Sequence, residues 1–241
     1  MHDFYNEDLA YIHHQGFPSY EKAVAAELLS HLNRRGISSG TLIDLGCGGG
    51  RLLKMLSDSG FDLHGVDVSS DFLNTAKVLV PDAVFHQGSV YEVELPECVA
   101  VISVGEVLSY VFEKSSHQDQ LQALFQQVHQ QLQPNGVFFF DLIIKDDESD
   151  IFSHVWRTGV DWAVMAETNE DETGQFLWRE IISFRDTGSG YQRSEEIHYQ
   201  EIFTSKLIEE MLQRVGFTVQ IHDRYGNQPV APHRKVFYAF K

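Results

Sequence analysis

The sequence has little cysteine and no long apolar run. Only two cysteines, Cys47 and Cys98, occur in 241 residues, and they provide neither a disulfide framework nor metal-ligand spacing. No stretch approaches the ~18 consecutive apolar residues that a membrane-spanning helix needs. The N-terminus lacks the charged segment and apolar run of a signal peptide. These absences predict a cytoplasmic protein with no membrane partner.

Basic residues are also scarce. The chain has 18 Lys and Arg against 35 Asp and Glu, so its formal net charge is −17. Proteins that hold nucleic-acid phosphates non-specifically carry a basic surface, so no nucleic-acid partner is expected. The 12 histidines include no His-Glu-x-x-His pattern, and no metal is expected. Small molecules, neutral or cationic, remain as partners, and the oligomeric state is left open.

The chain does contain enough apolar sequence for one substantial core, since 43% of its residues are hydrophobic. Residues 1–36 have a helical pattern and are predicted to form an N-terminal helical segment. Over residues 37–150, short apolar strands alternate with amphipathic helices. This alternation predicts an α/β core with a doubly wound, Rossmann-like and mostly parallel sheet. A Pro-Asn-Gly turn at residues 134–136 precedes a predicted buried strand over 137–144.

The pattern changes in the last third of the chain. Longer antiparallel strands are predicted over residues 161–167, 176–184 and 191–203. We interpret residues 151–203, which include them, as an inserted antiparallel β-meander that caps the active site. Residues 204–241 then add a helix and two strands to the core. Because a loop without a helix joins these two strands, we predict a seven-stranded sheet with an antiparallel last strand.

The sharpest pattern is the glycine loop, Asp44-Leu45-Gly46-Cys47-Gly48-Gly49-Gly50, between the first predicted strand and the next helix. Its glycines permit a tight turn and let a ligand approach the main chain. A dinucleotide fingerprint would need a third glycine where Arg51 stands, and no Gly-Lys-Ser/Thr of a phosphate-binding loop follows. The pattern therefore disfavours an NAD-dependent oxidoreductase, which stays open as an alternative.

The glycine loop resembles the first motif of the class I S-adenosylmethionine-dependent methyltransferases, an acid and one apolar residue before Gly-x-Gly-x-Gly. The resemblance is close over residues 42–144 and looser over the closing helix and strands. It implies S-adenosylmethionine as the cofactor and S-adenosylhomocysteine as the product. The cofactor contacts that it implies in the loop come from Asp44, Leu45, Gly46, Cys47, Gly48 and Gly50.

An acid follows at the end of the second predicted strand. Asp67 lies 23 positions after Asp44, close to the ~20 typical of nucleotide-binding crossovers. In the family this acid holds the ribose hydroxyls, and a carboxylate suits that task because it accepts two hydrogen bonds in a fork. The resemblance therefore assigns Asp67, with its neighbour Val68, to the cofactor. The alternative is that Asp67 caps the next helix.

Two further segments are implied to touch the cofactor. Ser89 and Val90 occupy the place where the family usually puts an acid beside the adenine amino group. Gly105 and Glu106 follow the fourth predicted strand, where the family's chain passes the sulfonium and the transferable methyl group. For Glu106 the alternative is a polar residue that merely starts a helix.

The resemblance also implies that residues 1–36 form an N-terminal helical lid over the cofactor. Two regions are expected to build the acceptor pocket. In the N-terminal stretch, Tyr11 or His14 is expected to reach the methionine end of the cofactor or the substrate, and histidine is a natural base. In the predicted meander, alternation puts Glu196, His198 and Gln200 on one face, which lines the pocket or faces water. The candidate catalytic residues are His14, Glu106 and His198.

The expected function is S-adenosylmethionine-dependent methyl transfer to a nitrogen or oxygen atom of a small molecule. Transfer is an in-line displacement, so catalysis consists mainly of holding the acceptor on line with the methyl carbon. A general base helps only where the acceptor must lose a proton, and no motif identifies one. A non-catalytic module that binds the cofactor is the main alternative, and it would show no open acceptor pocket under the meander.

Overall fold

A central sheet forms where strands and helices alternate in the sequence. A computed structural model describes residues 5–16, 20–111 and 117–241. The helices are α1 (Glu7–Gly16), α2 (Glu21–Arg34), α3 (Arg51–Leu56), α4 (Ser70–Leu79), α5 (His117–Gln131) and α6 (Ser205–Val215). The strands are β1 (Thr41–Leu45), β2 (Asp62–Asp67), β3 (Val84–Gln87), β4 (Cys98–Ser103), β5 (Leu132–Ile143), β6 (Ser153–Thr158), β7 (Trp162–Glu170), β8 (Phe176–Asp186), β9 (Tyr191–Glu201), β10 (Thr218–His222), β11 (Arg224–Tyr225), β12 (Gln228–Pro229) and β13 (Arg234–Phe240). Within the described residues, no helix combines the length and apolarity needed to cross a membrane.

Seven strands make up the central sheet, in the order β10-β13-β5-β4-β1-β2-β3. The pairs among β1 to β5 are parallel, and β13 runs antiparallel to both of its neighbours. The prediction of a mostly parallel sheet with an antiparallel last strand is confirmed. The strand order reverses between β1 and β4. Ligands of doubly wound sheets bind at the carboxyl ends of the strands beside such a reversal.

Helices cover both faces of this sheet. Apolar residues of α2, α3 and α4 pack on one face, and those of α5 and α6 pack on the other. The strand β5 serves both cores, because Phe138 and Phe140 face one side and Phe139 faces the other. A strand that is buried on both faces reads as a continuous apolar run, as this one does. The sheet thereby supports the loops at its carboxyl edge.

The β-meander has one strand more than predicted. Its antiparallel sheet has the order β6-β7-β8-β9, and β7, β8 and β9 overlap the three predicted strands. The prediction of three strands is wrong in this respect, because β6 mixes polar and apolar residues and contains no apolar run. Side chains of β6 alternate between the two faces of the meander, so Val155 and Arg157 line the cavity whereas Trp156 is exposed.

The strand β5 also starts earlier than predicted, at Leu132. It continues through the predicted turn, where Asn135 has a φ of 68°. The pairing of β5 with β4 shifts register between Cys98 and Ala100. The turn signal at residues 134–136 therefore marks an irregularity inside the strand rather than a break before it.

The helix α1 is joined to the β-meander. A shared apolar cluster contains Leu9, Ile12, Trp162, Val164 and Ile181. In addition, Oδ1 of Asp8 accepts a hydrogen bond of 3.1 Å from Nη1 of Arg185 on β8. These contacts hold α1 and the inner face of the meander together over the carboxyl edge of the central sheet.

Candidate active site

A cavity of about 530 Å³ lies between the carboxyl edge of the central sheet, α1 and the inner face of the β-meander. This volume falls within the range of small-molecule sites. Its lining includes the glycine loop, the segment after β4 and residues of β6, β7 and β8. We call the part lined by the glycine loop the cofactor end, and the part lined by the meander the acceptor end.

The glycine loop turns away from β1 because Gly46 adopts a left-handed conformation, with a φ of 76°. The N–H groups of Gly46 and Cys47 both donate to the carbonyl of Val66 on β2. A Cβ atom at position 46 would lie 2.4 Å from Cγ2 of Val107, so only glycine fits here. Of the loop residues with implied cofactor contacts, Asp44, Gly46, Cys47 and Gly48 line the cavity, whereas Leu45 and Gly50 do not.

Asp44 brings a buried carboxylate to the cofactor end. It is the fourth residue of β1 and only 3% exposed. No hydrogen bond from the described residues reaches its carboxylate oxygens. Burial, with the nearby charges of Asp67 and Glu21, raises the pKa of Asp44 to about 8. An acid in this condition fits a cationic ligand group, such as the ammonium of the methionine moiety of S-adenosylmethionine.

Asp67 lies at the end of β2, where its carboxylate connects the glycine loop with α4. Oδ2 accepts a hydrogen bond of 2.8 Å from the N–H of Gly48, and Oδ1 accepts one of 2.9 Å from the N–H of Ser69. The N-cap of α4 is Ser69, whose Oγ accepts from the N–H of Phe72. Asp67 is therefore not the cap itself. It is buried, does not line the cavity, and is followed by the exposed Val68.

Three other residues with implied cofactor contacts lie outside the cavity lining. Oγ of Ser89 accepts from the N–H of Tyr91, and Val90 is buried in the core between the sheet and α5. Tyr11 lies against the meander, where its hydroxyl donates to Asp161 at 3.0 Å. The guanidinium of Arg185 lies 4.0 Å from the centre of the Tyr11 ring. These contacts orient the ring of Tyr11 towards the meander rather than the glycine loop.

The segment after β4 directs Glu106 into the cavity. Glu106 has a φ of 64°, and Asp141 on β5 stabilises this unusual conformation. The carboxylate of Asp141 accepts hydrogen bonds from the N–H groups of Gly105, at 3.1 Å, and Glu106, at 2.6 Å. It also accepts a hydrogen bond of 2.6 Å from the hydroxyl of Tyr225. Gly105 and Glu106 both line the cavity.

Both carboxylate oxygens of Glu106 are already paired. Oε1 accepts from Nη2 of Arg234 at 2.6 Å, and Oε2 accepts from Nη2 of Arg179 at 3.2 Å. Burial alone would raise the pKa of Glu106, but the two arginines outweigh it and lower the pKa to about 2. Glu106 is therefore ionised and saturated at neutral pH, which makes it a poor general base.

His14 lies over the glycine loop. A Cβ atom at Gly49 would be 3.0 Å from Nδ1 of His14, and Nη1 of Arg51 donates to the carbonyl of His14 at 3.1 Å. Burial and the charge of Arg51 lower the pKa of His14, so its ring is neutral at neutral pH. His14 lines the cavity at the cofactor end.

His198 is fully buried behind the cavity wall. The face that carries Glu196, His198 and Gln200 is turned inward, yet none of these three residues lines the cavity. They connect to residues that do, because Gln200 donates to Glu106 at 3.3 Å and His198 lies beside Tyr110. The residues of β6, β7 and β8 that line the cavity are Ser153, Val155, Arg157, Val164, Ala166, Thr168, Leu177, Arg179 and Ile181.

Sequence reasoning did not find Arg234 or Asp141. Arg234 is separated from Glu106 by 128 positions, and Asp141 by 35. Nothing in the local pattern around Arg234 indicates a partner, since it follows a loop and starts the last strand. Asp141 did give a signal, because it is an acid inside the apolar run of β5, where a buried charge needs partners.

Known proteins match this chain along most of its length. A family model described as a methyltransferase domain matches residues 13–221. The putative methyltransferase YqeM of Bacillus subtilis (strain 168) is 26% identical over 255 residues, covering 93% of this chain and 95% of YqeM. A dTDP-3-amino-3,4,6-trideoxy-alpha-D-glucopyranose N,N-dimethyltransferase of Streptomyces venezuelae is 24% identical over 207 residues, covering 82% of this chain and 84% of that enzyme.

Solved structures share the fold. The crystal structure of an S-adenosylmethionine-dependent methyltransferase from Clostridium acetobutylicum ATCC 824 matches with a TM-score of 0.80 at 18% identity, covering 96% of each chain. The family model covers well over half of this chain, and its match includes the glycine loop, Asp67 and Glu106. The chain therefore belongs to the methyltransferase-domain family, as a class I S-adenosylmethionine-dependent methyltransferase.

Proposed function

We propose that this enzyme methylates a nitrogen atom of a small molecule, with amino sugars as the first class to test. Bound S-adenosylmethionine supplies an activated methyl group on its sulfonium. Asp44 would receive the methionine ammonium at the cofactor end. Asp67, which lies outside the cavity lining but contacts the glycine loop at Gly48, would receive the ribose hydroxyls. Catalysis would consist mainly of holding the acceptor nitrogen in line with the methyl carbon and the sulfur, which brings the reacting atoms into a geometry close to that of attack.

The observation that carries the proposal is the acceptor end of the cavity. There Ile143 and Leu177 provide an apolar surface, while Tyr110 and Arg179 bring a hydroxyl and a guanidinium to the same space. A module that only binds the cofactor has no need of such a space under the meander. The acceptor end therefore supports an enzyme over a non-catalytic binding module.

Nitrogen is favoured over oxygen because Glu106 does not serve as a free base. Both of its oxygens accept hydrogen bonds from arginines. An alcohol is a far weaker acid than an ammonium ion, so methylation of an alcohol needs a stronger base than methylation of an amine does. The Streptomyces venezuelae relative is named as an N,N-dimethyltransferase of an amino sugar, which supports the same choice.

A small molecule is favoured over RNA as the acceptor. The net charge of −17 opposes binding to a phosphate backbone. The cavity is partly closed by α1 and the meander, which suits a small acceptor better than a folded macromolecule.

The free thiols of Cys47 and Cys98 are those expected of a cytoplasmic enzyme.

The first test is a calorimetric titration of the purified protein with S-adenosylhomocysteine, using NAD as the control ligand. We expect micromolar binding of S-adenosylhomocysteine alone. Binding of NAD, or of neither ligand, would contradict the proposal and return the dinucleotide alternative to consideration.

The second test measures transfer. S-adenosylmethionine is supplied with dTDP-3-amino-3,6-dideoxy-alpha-D-glucopyranose, the sugar in the name of a Streptomyces fradiae relative. The matched control carries a hydroxyl in place of the amine. Methylation of the amine alone is the expected result. Binding of S-adenosylhomocysteine without transfer to any of a panel of amino sugars would favour the non-catalytic module.

A further inference from the structure

A row of hydrogen bonds leads from the acceptor end of the cavity into the meander. The hydroxyl oxygens of Tyr5 and Tyr110 lie 3.0 Å apart, and both residues line the cavity. Behind them, Oη of Tyr110 lies 3.4 Å from Nδ1 of His198. Nε2 of the same ring lies 2.8 Å from Oε2 of Glu196. The buried imidazole thus meets the cavity through Tyr110.

We propose that Tyr110 is a catalytic residue that relays a proton from the acceptor amine to His198, with Glu196 as the positioning residue behind the imidazole. This inference rests on the proposed N-methylation. An aliphatic amine at neutral pH is mostly an ammonium ion, whose nitrogen has no lone pair for attack. It must therefore lose a proton before it is methylated.

The relay balances in protons and electrons. The N–H bond of the acceptor ammonium breaks and leaves its electron pair on nitrogen, while the proton binds to Oη of Tyr110. The original O–H bond of Tyr110 breaks at the same time, and that proton passes to Nδ1 of His198. One positive charge moves from the acceptor to the imidazole, where the carboxylate of Glu196 stabilises it. The phenol of Tyr110 is regenerated.

Tyr110 remains a neutral phenol before and after the proton transfer. Burial raises the pKa of Tyr110, so a persistent phenolate is unfavourable. The hydroxyl therefore gives up its proton only as it receives another. The distance of 3.4 Å to His198 is long for a hydrogen bond, but such contacts shorten in many enzymes when the substrate binds.

Charged and titratable groups reach His198 from three elements. The rings of Tyr5 and Tyr110 lie 5.1 and 5.6 Å from its ring, and Arg179 stands directly opposite on β8. Glu196 brings a carboxylate to this ring, and Arg179 is itself ion-paired with Glu106. Glu196 also accepts a hydrogen bond of 2.8 Å from the backbone N–H of Tyr5. It therefore fixes the segment before α1 and is left unchanged in the tests.

The chain contains a similar row outside the cavity that serves as a control. Oη of Tyr91 lies 2.9 Å from Nε2 of His117, whose Nδ1 lies 2.6 Å from Oε2 of Glu201, and the Tyr91 hydroxyl also donates to the carbonyl of Leu108 at 2.9 Å. These three residues have the same chemistry as the proposed relay, yet none of them lines the cavity. A change at Tyr91 thus removes a similar hydrogen bond without touching the acceptor.

The first experiment determines which ring nitrogen of His198 carries the proton, and it needs no acceptor. In the full chain with isotope-labelled histidine, we expect nitrogen NMR at pH 7.5 or so to find the proton of His198 on Nε2 alone. Nδ1 must be free of a proton because it is the atom that receives one from Tyr110. The variant His198→Gln assigns the signal. A proton on Nδ1 at this pH would overturn the relay, whatever the acceptor.

The second experiment measures kcat with dTDP-3-amino-3,6-dideoxy-alpha-D-glucopyranose from about pH 6 to about pH 9. We expect Tyr110→Phe and His198→Gln to lower kcat about 100-fold near neutral pH, which is within the range of general acid–base catalysis. The loss should shrink towards the alkaline end, where more of the acceptor arrives neutral. Affinity for S-adenosylhomocysteine should be unchanged, and Tyr91→Phe should behave as the wild type.

The outcomes separate the relay from a structural role. An unchanged kcat in Tyr110→Phe would overturn the relay. A loss that is equally large at all pH values would also overturn it and would assign both residues to the fold. If the wild type binds S-adenosylhomocysteine but methylates no amine, the proposed acceptor class fails, and the NMR result alone decides whether the relay is retained.

Discussion

Two buried carboxylates border the same cavity, and their surroundings drive their pKa values in opposite directions. At the cofactor end, burial and the charges of Asp67 and Glu21 raise the pKa of Asp44 to about 8, and no side chain of the described residues donates a hydrogen bond to this acid. At Glu106, the effect of burial is outweighed by two arginines, and the pKa falls to about 2. An acid without a fixed partner is available to a cationic ligand, whereas an acid held by two arginines belongs to the fold.

The same difference describes the two ends of the cavity. At the cofactor end, Asp44 has no partner of opposite charge among the described residues, so a bound ligand would supply one. At Glu106, the protein itself supplies the opposite charges, through Arg179 and Arg234. We therefore expect substitution of Glu106 to affect stability first, and substitution of the acids Asp44 and Asp67 to affect cofactor binding first.

The largest effect is expected from Glu106→Gln. Removing the charge leaves Arg179 without this carboxylate and leaves Arg234 only its longer contact of 3.7 Å with Asp141. Breaking a buried ion pair in this way typically costs about 3–5 kcal/mol of unfolding free energy. Denaturant unfolding measures this directly. The matched control is Glu195→Gln, which breaks an ion pair with Arg193 on the exposed side of the meander and should leave stability nearly unchanged. Equal effects of the two substitutions would contradict the prediction that the ion pairs of Glu106 stabilise the fold more than an exposed ion pair does.

The pH dependence of this effect separates charge from packing. Because the pKa of Glu106 in the folded state, about 2, lies below its ordinary 4.5, the carboxylate stabilises the folded state above about pH 4.5. That contribution is lost as the pH falls towards 2. The difference in unfolding free energy between wild type and Glu106→Gln should be constant near neutral pH and shrink below about pH 5. A difference that persists in acid would indicate packing rather than charge.

The glycine loop should respond next, through Gly46→Ala. Gly46 and Gly36 have nearly equal φ values, 76° and 75°, but a Cβ atom would touch Val107 at position 46 and nothing within 4 Å at position 36. Both substitutions carry the same backbone strain. The loss of unfolding free energy, measured by denaturant unfolding, should therefore be larger for Gly46→Ala than for Gly36→Ala by about 1–3 kcal/mol, and this difference reports the contact with Val107 alone. The double variant with Val107→Ala should recover part of it. Equal costs at the two glycines would contradict the contact.

A similar or smaller effect is expected at Asp67. The variant Asp67→Ala should weaken binding of S-adenosylhomocysteine by about 1.5–3 kcal/mol, the range of charge-assisted hydrogen bonds. Titration calorimetry measures it. Asp67→Asn keeps the size of the side chain and one acceptor oxygen, so an intermediate loss is expected. Unchanged affinity in Asp67→Ala would remove this residue from the cofactor site and leave it as a support of the glycine loop.

Local signals made most of the fold predictable from the sequence. The helix α6 lies at the start of the segment 204–241, where a closing helix is predicted, because Thr204 caps its start and Gly216 ends it in a left-handed conformation. The strand β1 lies directly before the glycine loop, as predicted, since it is a short apolar run before glycines. The strand β6 was missed because its stability comes from pairing with β7 rather than from its own composition.

The site was predictable only where the main chain builds it. Gly46 and its neighbours follow a spacing that the local backbone conformation requires. The acceptor end depends on pairs that are distant in sequence, such as Glu106 with Arg234 or Tyr110 with His198, 88 positions apart. Alternation correctly put Glu196 and His198 on one face, but only the packing of the meander decides that this face is turned inward.

The smallest and most specific effect concerns Asp44 and pH. Its pKa of about 8 in the folded state lies above its ordinary 3.8, so this acid costs the free protein stability as the pH rises towards 8. A ligand ammonium favours the ionised carboxylate, and binding therefore releases a proton. Between about pH 6 and 7.5, affinity for S-adenosylhomocysteine should rise by up to about tenfold per pH unit. Calorimetry in two buffers of different ionisation enthalpy counts the proton. In Asp44→Asn the affinity should be weaker and flat, and the same slope there would assign the proton to another group and leave Asp44 without the role that distinguishes it from Glu106.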